Sequence, residues 1–223
     1  MLKTRLIPTL LLREGRCVKT VQFGRERDTG DPITSAKVYD AQGADELLFL
    51  DITASNEKRE MLYHIIERVA DQCFMPLTVG GGIRRVEDIR KLLKIGTDKV
   101  AICSAFVENP GFINEASKTF GSSTLIGIIT YKVIAGERKV FIHGKETQTN
   151  LRVVDWAHEM EKRGVGEILF YSIDHDGCME GYDTETAKEL MNALSIPLII
   201  CGGAGKLSDF VDIVHNTQIP AVS

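Results

Sequence analysis

Residues 76–83 read PLTVGGGI, and residues 197–204 read PLIICGGA. The two stretches are related by an offset of 197 − 76 = 121, and the same offset pairs Glu46 with Glu167. One shift therefore holds over the whole segment 46–83. This spacing exceeds the unit of a solenoid, which is roughly 20 to 50 residues, and is the spacing expected of two halves of one domain.

Between and around the repeats, short apolar runs alternate with longer amphipathic segments. The eight runs are RLIPTLLL, ELLFLDI, PLTVGG, KVAICS, TLIGIIT, EILFYSI, PLIICGG and PAVS. Strand-like runs that alternate with helical segments are typical of a parallel barrel. The sequence therefore predicts an α/β fold, a single (β/α)₈ TIM barrel over residues 1–223 built from two repeated half-barrels.

The segments between the runs carry helix and turn signals. SNEKREMLYHIIERVADQC predicts a helix capped by Ser55, and RVEDIRKLLKIGTD predicts a helix that ends at Gly96, where a left-handed residue is favoured. Residues 131–147 predict a hairpin that turns at Ala135–Gly136 and is inserted after the fifth strand.

The last run stops at Ser223 soon after it begins, and no eighth helix follows it. A closed barrel needs this strand to hydrogen-bond to both of its neighbours. We therefore expect either an incomplete C-terminal strand and helix or a barrel with an exposed edge, and we favour the first.

Composition indicates an ordinary globular protein. The chain has 223 residues, of which 43% are hydrophobic and 26% are charged, with a formal net charge of −4. This length supports a full core, and the weak negative charge favours neither a nucleic-acid partner nor a membrane surface. The first apolar run is broken by Pro8 and Thr9 and has no cleavage site after it, so we interpret it as a strand and not as a signal peptide.

The cysteines indicate a reducing compartment. They are five in number and show neither a CxxC motif nor Cys/His metal spacing: Cys17, Cys73, Cys103, Cys178 and Cys201. An odd set of unpatterned cysteines is typical of a cytoplasmic protein. We expect no structural metal and identify no cofactor.

Glycine-rich turns follow the third and seventh predicted strands. In parallel barrels the loops after the strands hold the active site, and backbone N–H groups in glycine-rich turns bind phosphate. The duplication therefore predicts two anion sites across the mouth from each other, suited to a metabolite with a phosphate at each end. The candidate residues are Gly81, Gly82, Ser104, Asp176, Gly177, Gly202 and Gly203. The alternative is that these glycines only turn the chain tightly.

The chain resembles a known family in several stretches. LLFLDITAS, LTVGGGI, DKVAICSAFVENP, WAHEMEKRGVGEILFYSIDHDG and ICGGAGK are similar to the cyclase subunit of imidazole glycerol phosphate synthase, the HisF family, and the likeness runs over essentially the whole chain. The resemblance implies a lyase barrel that binds a bisphosphorylated ribulosyl intermediate, receives ammonia from a glutamine amidotransferase partner and forms the imidazole ring in histidine biosynthesis. It also implies a substrate-facing Lys19 in a mobile first loop, and it places Asp51 at the end of strand two.

The family pattern is broken at the reacting centre. The family's reaction uses one carboxylate at the end of strand one and one at the end of strand five, and the corresponding residues here are Leu11 and Thr130. Neither can serve as an acid or base near neutral pH. Cys103 and Cys201 stand where the family usually has Asn and Ser. These changes indicate an altered function.

Other residues could supply the missing proton transfer. Asp51, Asp174 and His175 follow predicted strands and form a possible replacement set. The alternative is that the aspartates cap or brace loops and that the histidine is exposed. Cys103 or Cys201 as a nucleophile is the weaker hypothesis, because a cysteine on a barrel strand is usually a small buried apolar residue.

Charged residues begin four of the predicted strands. They are Arg5, Glu46, Lys99 and Glu167, and they resemble the charged ring through which ammonia enters this family's barrel. Asp98 matches a position where the family docks its partner. The alternative is that residues on this face serve stability alone.

Three functional hypotheses remain open. The leading one is a paralogue that pairs with a glutamine amidotransferase and conducts ammonia to another acceptor, for example in amidino-sugar formation for bacterial surface polysaccharides. The second is an authentic cyclase that uses replacement acid and base residues. The third is a non-catalytic scaffold that activates the glutaminase.

Overall fold

The computed structural model describes residues 3–54 and 62–223. Its strands are β1 (Arg5–Leu6), β2 (Thr9–Arg13), β3 (Arg16–Val21), β4 (Gly24–Gly30), β5 (Leu47–Asp51), β6 (Leu77–Gly80), β7 (Lys99–Ile102), β8 (Leu125–Ile134), β9 (Glu137–Ile142), β10 (Thr147–Arg152), β11 (Glu167–Ser172), β12 (Leu198–Cys201) and β13 (Ala221–Val222). Its α-helices are α1 (Pro32–Ala41), α2 (Tyr63–Ala70), α3 (Val86–Lys94), α4 (Ser104–Glu108), α5 (Gly111–Phe120), α6 (Val153–Arg163), α7 (Thr184–Ala193) and α8 (Leu207–Thr217). The predicted Ser55 cap lies outside the described residues.

The parallel strands close into the predicted TIM barrel. Their hydrogen-bonded order is β1-β13-β12-β11-β8-β7-β6-β5-β2, in which β1 and β2 are two parts of the first barrel strand. Pro8 lies between these parts and lacks an N–H group, which accounts for the break. The first strand thus bonds to the second strand through β2 and to the eighth through β1.

The short eighth strand has partners on both sides. Ala221 and Val222 pair in parallel with Ile199 and Ile200 of β12 and with β1. The N–H of Ser223 donates to the carbonyl of Ile200 at 2.8 Å. The barrel edge is therefore not exposed, and two paired residues are enough for closure.

The hairpin after the fifth strand has the predicted turn and is longer than predicted. β8 and β9 are joined by Ala135 and Gly136, which have φ angles of 50° and 81°, and this left-handed pair matches the twist of the strands. β10 then pairs antiparallel with β9, so the extension has three strands and ends at Arg152 rather than near residue 147. It projects from the carboxyl end of the barrel.

The first loop contains regular secondary structure. Residues 16–30 form an antiparallel hairpin, β3 with β4, and β3 also pairs with β2. Three residues of RCVKTV are buried and three are exposed, as in a half-buried strand. Gly96 follows α3 with φ 100°, as predicted for a helix end.

The core has two layers. The larger cluster lies between the barrel and its helices, and the smaller one fills the barrel interior with Leu48, Leu50, Ile126, Ile128, Leu169 and Ile199 among others. These interior residues come from alternate positions of the strands, as the period of two requires. Within residues 3–54 and 62–223, the helices are too short and too polar to cross a bilayer.

Candidate functional site

A cavity of about 690 Å³ opens at the carboxyl ends of the first to sixth barrel strands. Its floor is the apolar barrel interior, where Leu50, Ala101 and Ile128 belong both to the interior cluster and to the cavity lining. Its rim includes the β3–β4 hairpin and the turn 143–146 between β9 and β10. The volume is that of a site for a small metabolite.

Both glycine turns consist of two successive residues with positive φ. Gly81 and Gly82 have φ angles of 98° and 72°, and Gly202 and Gly203 have φ angles of 94° and 115°. A Cβ at Gly81 would lie 2.1 Å from the carbonyl oxygen of Asp51, so the turn packs directly on the preceding barrel strand. The sequence repeat is thus a structural repeat.

The two turns differ in their surroundings. Gly81, Gly82 and Ser104 line the cavity, whereas Gly202 and Gly203 do not line it. The N–H of Gly181 donates to the carbonyl of Gly203 at 2.9 Å, and the loop between β11 and α7 covers this second turn. The structure therefore brings one predicted phosphate cluster into the cavity and keeps the other outside it.

Asp176 braces the β3–β4 hairpin. Its buried carboxylate accepts hydrogen bonds from Tyr171 Oη at 2.8 Å, from Thr20 Oγ1 at 2.6 Å and from the N–H of Phe23 at 3.1 Å. A Cβ at Gly177 would lie 2.1 Å from the carbonyl oxygen of Thr20, so this glycine permits the close approach of the hairpin. Both residues lie outside the cavity lining.

The hairpin tip lies across the barrel mouth. The Phe23 ring packs edge-on against Tyr171 with centroids 4.8 Å apart, and the carbonyl of Gln22 accepts from Lys145 Nζ at 2.8 Å. Burial raises the pKa of Tyr171 well above its usual value, so its phenol remains protonated and serves as a donor. Lys19 is exposed on β3 opposite Arg27 and does not line the cavity.

The four charged residues at the amino ends of the strands form a closed ring. Arg5 bonds to Glu46 at 2.9 Å and also to Glu167, and Lys99 Nζ lies 3.1 Å from Glu46 and 3.2 Å from Glu167. Each cation therefore contacts both anions. The Glu46 and Glu167 side chains are only 4% and 8% exposed.

Neighbouring groups complete this ring. Thr78 Oγ1 donates to Glu46 at 2.7 Å. Burial acts to lower the pKa of Arg5, but the hydrogen bond and charge of Glu167, together with Glu46, raise it above its usual value. Asp98 is exposed on the same face and accepts from the N–H of Leu77 at 2.8 Å, so it also braces the start of β6.

The family of the chain follows from its similarity to known protein families. The family model described as histidine biosynthesis protein matches residues 5–222. The chain belongs to the histidine biosynthesis protein family. This family includes the cyclase subunit of imidazole glycerol phosphate synthase, and the chain is a TIM barrel of this type.

The two positions at which the resemblance implies catalytic carboxylates lie in the cavity. Leu11 and Thr130 are buried residues of its lining. Thr130 Oγ1 donates to the carbonyl of Phe141 at 2.5 Å, so its proton is committed to the β8–β9 hairpin. The cavity therefore presents an aliphatic side chain and an occupied hydroxyl at the two positions where the cyclase has carboxylates.

Of the three candidate replacements, only Asp51 lines the cavity. Its carboxylate accepts from the N–H of Ala54 at 3.1 Å and from Thr53. Asp174 accepts from the N–H of Val133 at 2.9 Å, and His175 Nδ1 bonds to Ser172 Oγ at 2.8 Å. Asp174 and His175 thus brace the chain outside this cavity.

Of the two cysteines at altered family positions, Cys201 is buried, whereas Cys103 is partly buried and lines the cavity. Burial raises the pKa of Cys103, and it raises the pKa of Cys201 to about 11, with the hydrogen bond to Ser223 acting in the opposite direction. Both thiols are therefore protonated near neutral pH, and a protonated thiol is a poor nucleophile. A cysteine nucleophile at either position is therefore disfavoured.

Several ionisable residues of the cavity lining were absent from the sequence-based candidates. They are Arg13, Glu26, Arg84, Glu108, His143, Lys145 and Glu146. His143, Lys145 and Glu146 belong to the stretch FIHGKE, which lies inside the predicted hairpin. The sequence did not predict the second turn, between β9 and β10, that these residues form. Only the fold shows that this turn reaches the barrel mouth.

The tight packing of the first glycine turn leads to a stability prediction. Gly81→Ala must accommodate both a positive φ and a Cβ 2.1 Å from a carbonyl oxygen, so we expect it to reduce the free energy of unfolding by more than the ~1–3 kcal/mol of backbone strain alone. Gly136→Ala is the matched control, because its φ is 81° and nothing lies within 4 Å of its Cβ position. Urea unfolding of both variants measures the difference, and equal losses would contradict the steric argument.

Proposed function

We propose that this chain is the barrel subunit of a glutamine-dependent synthase that pairs with a glutamine amidotransferase at the ion ring and conducts ammonia to an acceptor outside histidine biosynthesis. The acceptor class we favour is a sugar derivative that gains an amidino group in bacterial surface-polysaccharide synthesis. The proposal places the complex in the cytoplasm and a phosphorylated ligand in the cavity.

The proposal rests on a contrast between the two ends of the barrel. The ring of Arg5, Glu46, Lys99 and Glu167 is complete, whereas Leu11 and Thr130 stand at the two carboxylate positions of the mouth. A buried ring of four charges is costly compared with apolar packing, so its retention favours a role beyond stability. The loss of both carboxylates, in contrast, removes the groups needed for ring closure.

The apolar barrel interior supports a path for ammonia from the ion ring to the cavity. Apolar side chains, including Leu48, Leu169 and Ile199, lie between the ring and the cavity floor. Such an interior favours neutral ammonia over the ammonium ion, because moving a charge into apolar surroundings is costly. Ammonia released at the ring would thus be delivered to the cavity as the nucleophilic species.

Glutamine hydrolysis by the co-purified partner tests this proposal. We expect the barrel and a cognate ligand together to stimulate hydrolysis by about 5- to 150-fold, the usual range of coupling between two sites. Stimulation by a nucleotide-linked or phosphorylated sugar, and not by the family's bisphosphate, is the expected result. Lys99→Met should reduce the coupling, whereas Lys188→Met, on the exposed surface of α7, should not.

The authentic cyclase remains the second candidate, since Asp51, one of the possible replacement residues, lines the cavity. Complementation of a cyclase-deleted histidine auxotroph separates the two functions. Growth of the auxotroph would refute the leading proposal. If the chain is only a scaffold that activates the glutaminase, substitution of Lys99 or Glu167 should leave the amount of downstream product unchanged.

A further inference from the structure

The floor of the cavity is apolar from one strand to the next. Leu11 and Leu50 are register partners on the first two barrel strands, and both line the cavity. The fourth and fifth strands supply Ala101 and Ile128. On the third strand, a Cβ at Gly80 would lie 2.7 Å from Leu50 Cδ2 and 3.1 Å from Ala101 Cβ. The Leu50 and Ala101 side chains therefore lie close together across this glycine, and the hydrocarbon surface is continuous.

Three hydroxyl groups border this floor, and each already donates within the protein. Thr130 Oγ1 donates to the carbonyl of Phe141 at 2.5 Å. Thr20 Oγ1 and Tyr171 Oη both donate to the carboxylate of Asp176, at 2.6 Å and 2.8 Å. A hydroxyl carries a single hydrogen, so none of the three can also donate to a ligand oxygen without losing its internal bond.

The rim of the cavity has the opposite character. Glu26 of the β3–β4 hairpin and Lys145 of the β9–β10 turn are charged and line the cavity, and Arg13 pairs with Glu26. The first glycine turn, at Gly81 and Gly82, also contributes to the lining. The cavity therefore suits a ligand that is charged at one end and apolar at the other.

The floor should distinguish a methyl group from a hydroxymethyl group. A methyl group placed on apolar side chains gains free energy because its surface leaves water. A hydroxyl group in the same place leaves water without a donor from Thr20, Thr130 or Tyr171, and burial of a polar group without its hydrogen bonds is costly. The hydroxyl would therefore weaken binding, even though it adds only one atom other than hydrogen.

We propose that the ligand of this cavity is a phosphorylated sugar that carries a methyl group, either on a deoxygenated carbon or in an N-acyl group, and that this methyl lies on the apolar floor. This inference rests on the proposed function, which supplies the sugar class. The charged rim holds the phosphate end of the ligand, and Leu11, Leu50, Ala101 and Ile128 select the methyl end.

Calorimetric titration of the purified chain with two pairs of probes tests the proposal. The first pair is 6-deoxyglucose 1-phosphate and glucose 1-phosphate, and the second is N-acetylglucosamine 1-phosphate and N-glycolylglucosamine 1-phosphate. The members of each pair differ by one hydroxyl group. We expect the methyl member of one pair to bind about 10- to 100-fold more tightly, the range over which an apolar pocket rejects an added hydroxyl.

The pair that shows the difference identifies the source of the methyl group, a deoxygenated carbon or an N-acyl group. Equal affinities within both pairs, tighter binding of the hydroxylated members, or no binding of any of the four compounds would overturn the proposal.

Substitutions on the floor locate the selection. Leu11→Asn introduces an amide that can donate and accept, so most of the preference for the methyl member should be lost. Ile128→Thr introduces a hydroxyl with a smaller change in shape and should reduce the preference in the same direction, which keeps the test valid if Leu11→Asn does not fold. Leu207→Asn is the matched control, because Leu207 is 84% exposed on α8 and lies outside the lining. A preference that survives in both floor variants would overturn the proposal.

The glutamine assay distinguishes this inference from the proposed function. Selection of the methyl member without any stimulation of the glutaminase would refute the ammonia role and leave the ligand class standing. Stimulation of the glutaminase without selection between the paired probes would refute only the inference.

Discussion

The purified chain should convert the family's bisphosphorylated substrate to imidazole product at no more than a trace rate, even with excess ammonium salt. A positioned acid or base contributes about 10²–10⁴-fold to a rate, and this cavity has Leu11 and Thr130 at the two positions concerned. Groups that act as a pair are not additive, so we expect a loss of at least about 10²–10⁴-fold relative to an authentic cyclase. Product release measured in a steady-state assay gives the rate.

Introducing carboxylates at residues 11 and 130 tests whether their absence limits the reaction. Leu11→Asp with Thr130→Asp should raise the rate of ring closure, whereas Leu11→Asn with Thr130→Asn has similar side-chain size and should not. The gain at residue 130 requires the new carboxylate to turn toward the cavity, because Thr130 now donates to the carbonyl of Phe141. Ordinary turnover by the unaltered chain, or equal gains in both double variants, would show that the missing carboxylates do not limit the reaction.

The second large effect concerns the ion ring at the barrel floor. Glu46→Gln should lower the free energy of unfolding by about 3–5 kcal/mol, the usual cost of removing one member of a buried ion pair. Glu46 is 4% exposed in its side chain and contacts Arg5, Lys99 and Thr78. The amide keeps the shape but removes the charge, so two cations would face Glu167 alone.

A surface pair supplies the control for this measurement. Asp28 bonds to Arg16 at 2.9 Å, and both side chains are more than half exposed. Asp28→Asn is the same acid-to-amide change and should lower the free energy of unfolding far less, because solvent screens exposed pairs. Urea unfolding of the two variants tests the difference, and a loss in Glu46→Gln as small as that in Asp28→Asn would mean that the ring contributes little to stability.

Some of the site could be read directly from the sequence. The 121-residue offset identified two equivalent glycine turns, and the alternation of runs identified the barrel whose strand ends gather them. Arg5, Lys99 and Glu167 begin strands and Glu46 directly precedes one, so a closed barrel had to bring them to one end. Strand order and strand polarity alone fix such positions.

Other parts of the site depended on contacts that no local pattern encodes. Asp176 was a phosphate candidate, and the structure shows its carboxylate bonded to Tyr171, Thr20 and the N–H of Phe23. The pairing of His143 with Glu108 joins a hairpin turn to the end of α4, which are 35 residues apart. Such pairs are set by where inserted loops pack, and loop packing is not periodic.

The sequence by itself determined the barrel, its internal repeat and the charged residues at the starts of the strands. These follow from residue identity and from the two- and 3.6-residue periods of strands and helices. The resemblance to the cyclase family, which is also a property of the sequence, identified residues 11 and 130 as the positions that lack carboxylates. Only the tertiary structure decided that one glycine turn faces the cavity while the other is covered, and that a histidine from the inserted hairpin lies in that cavity. The physical reason is that a period fixes the face of an element, whereas the position of a loop side chain depends on contacts between segments far apart in the chain.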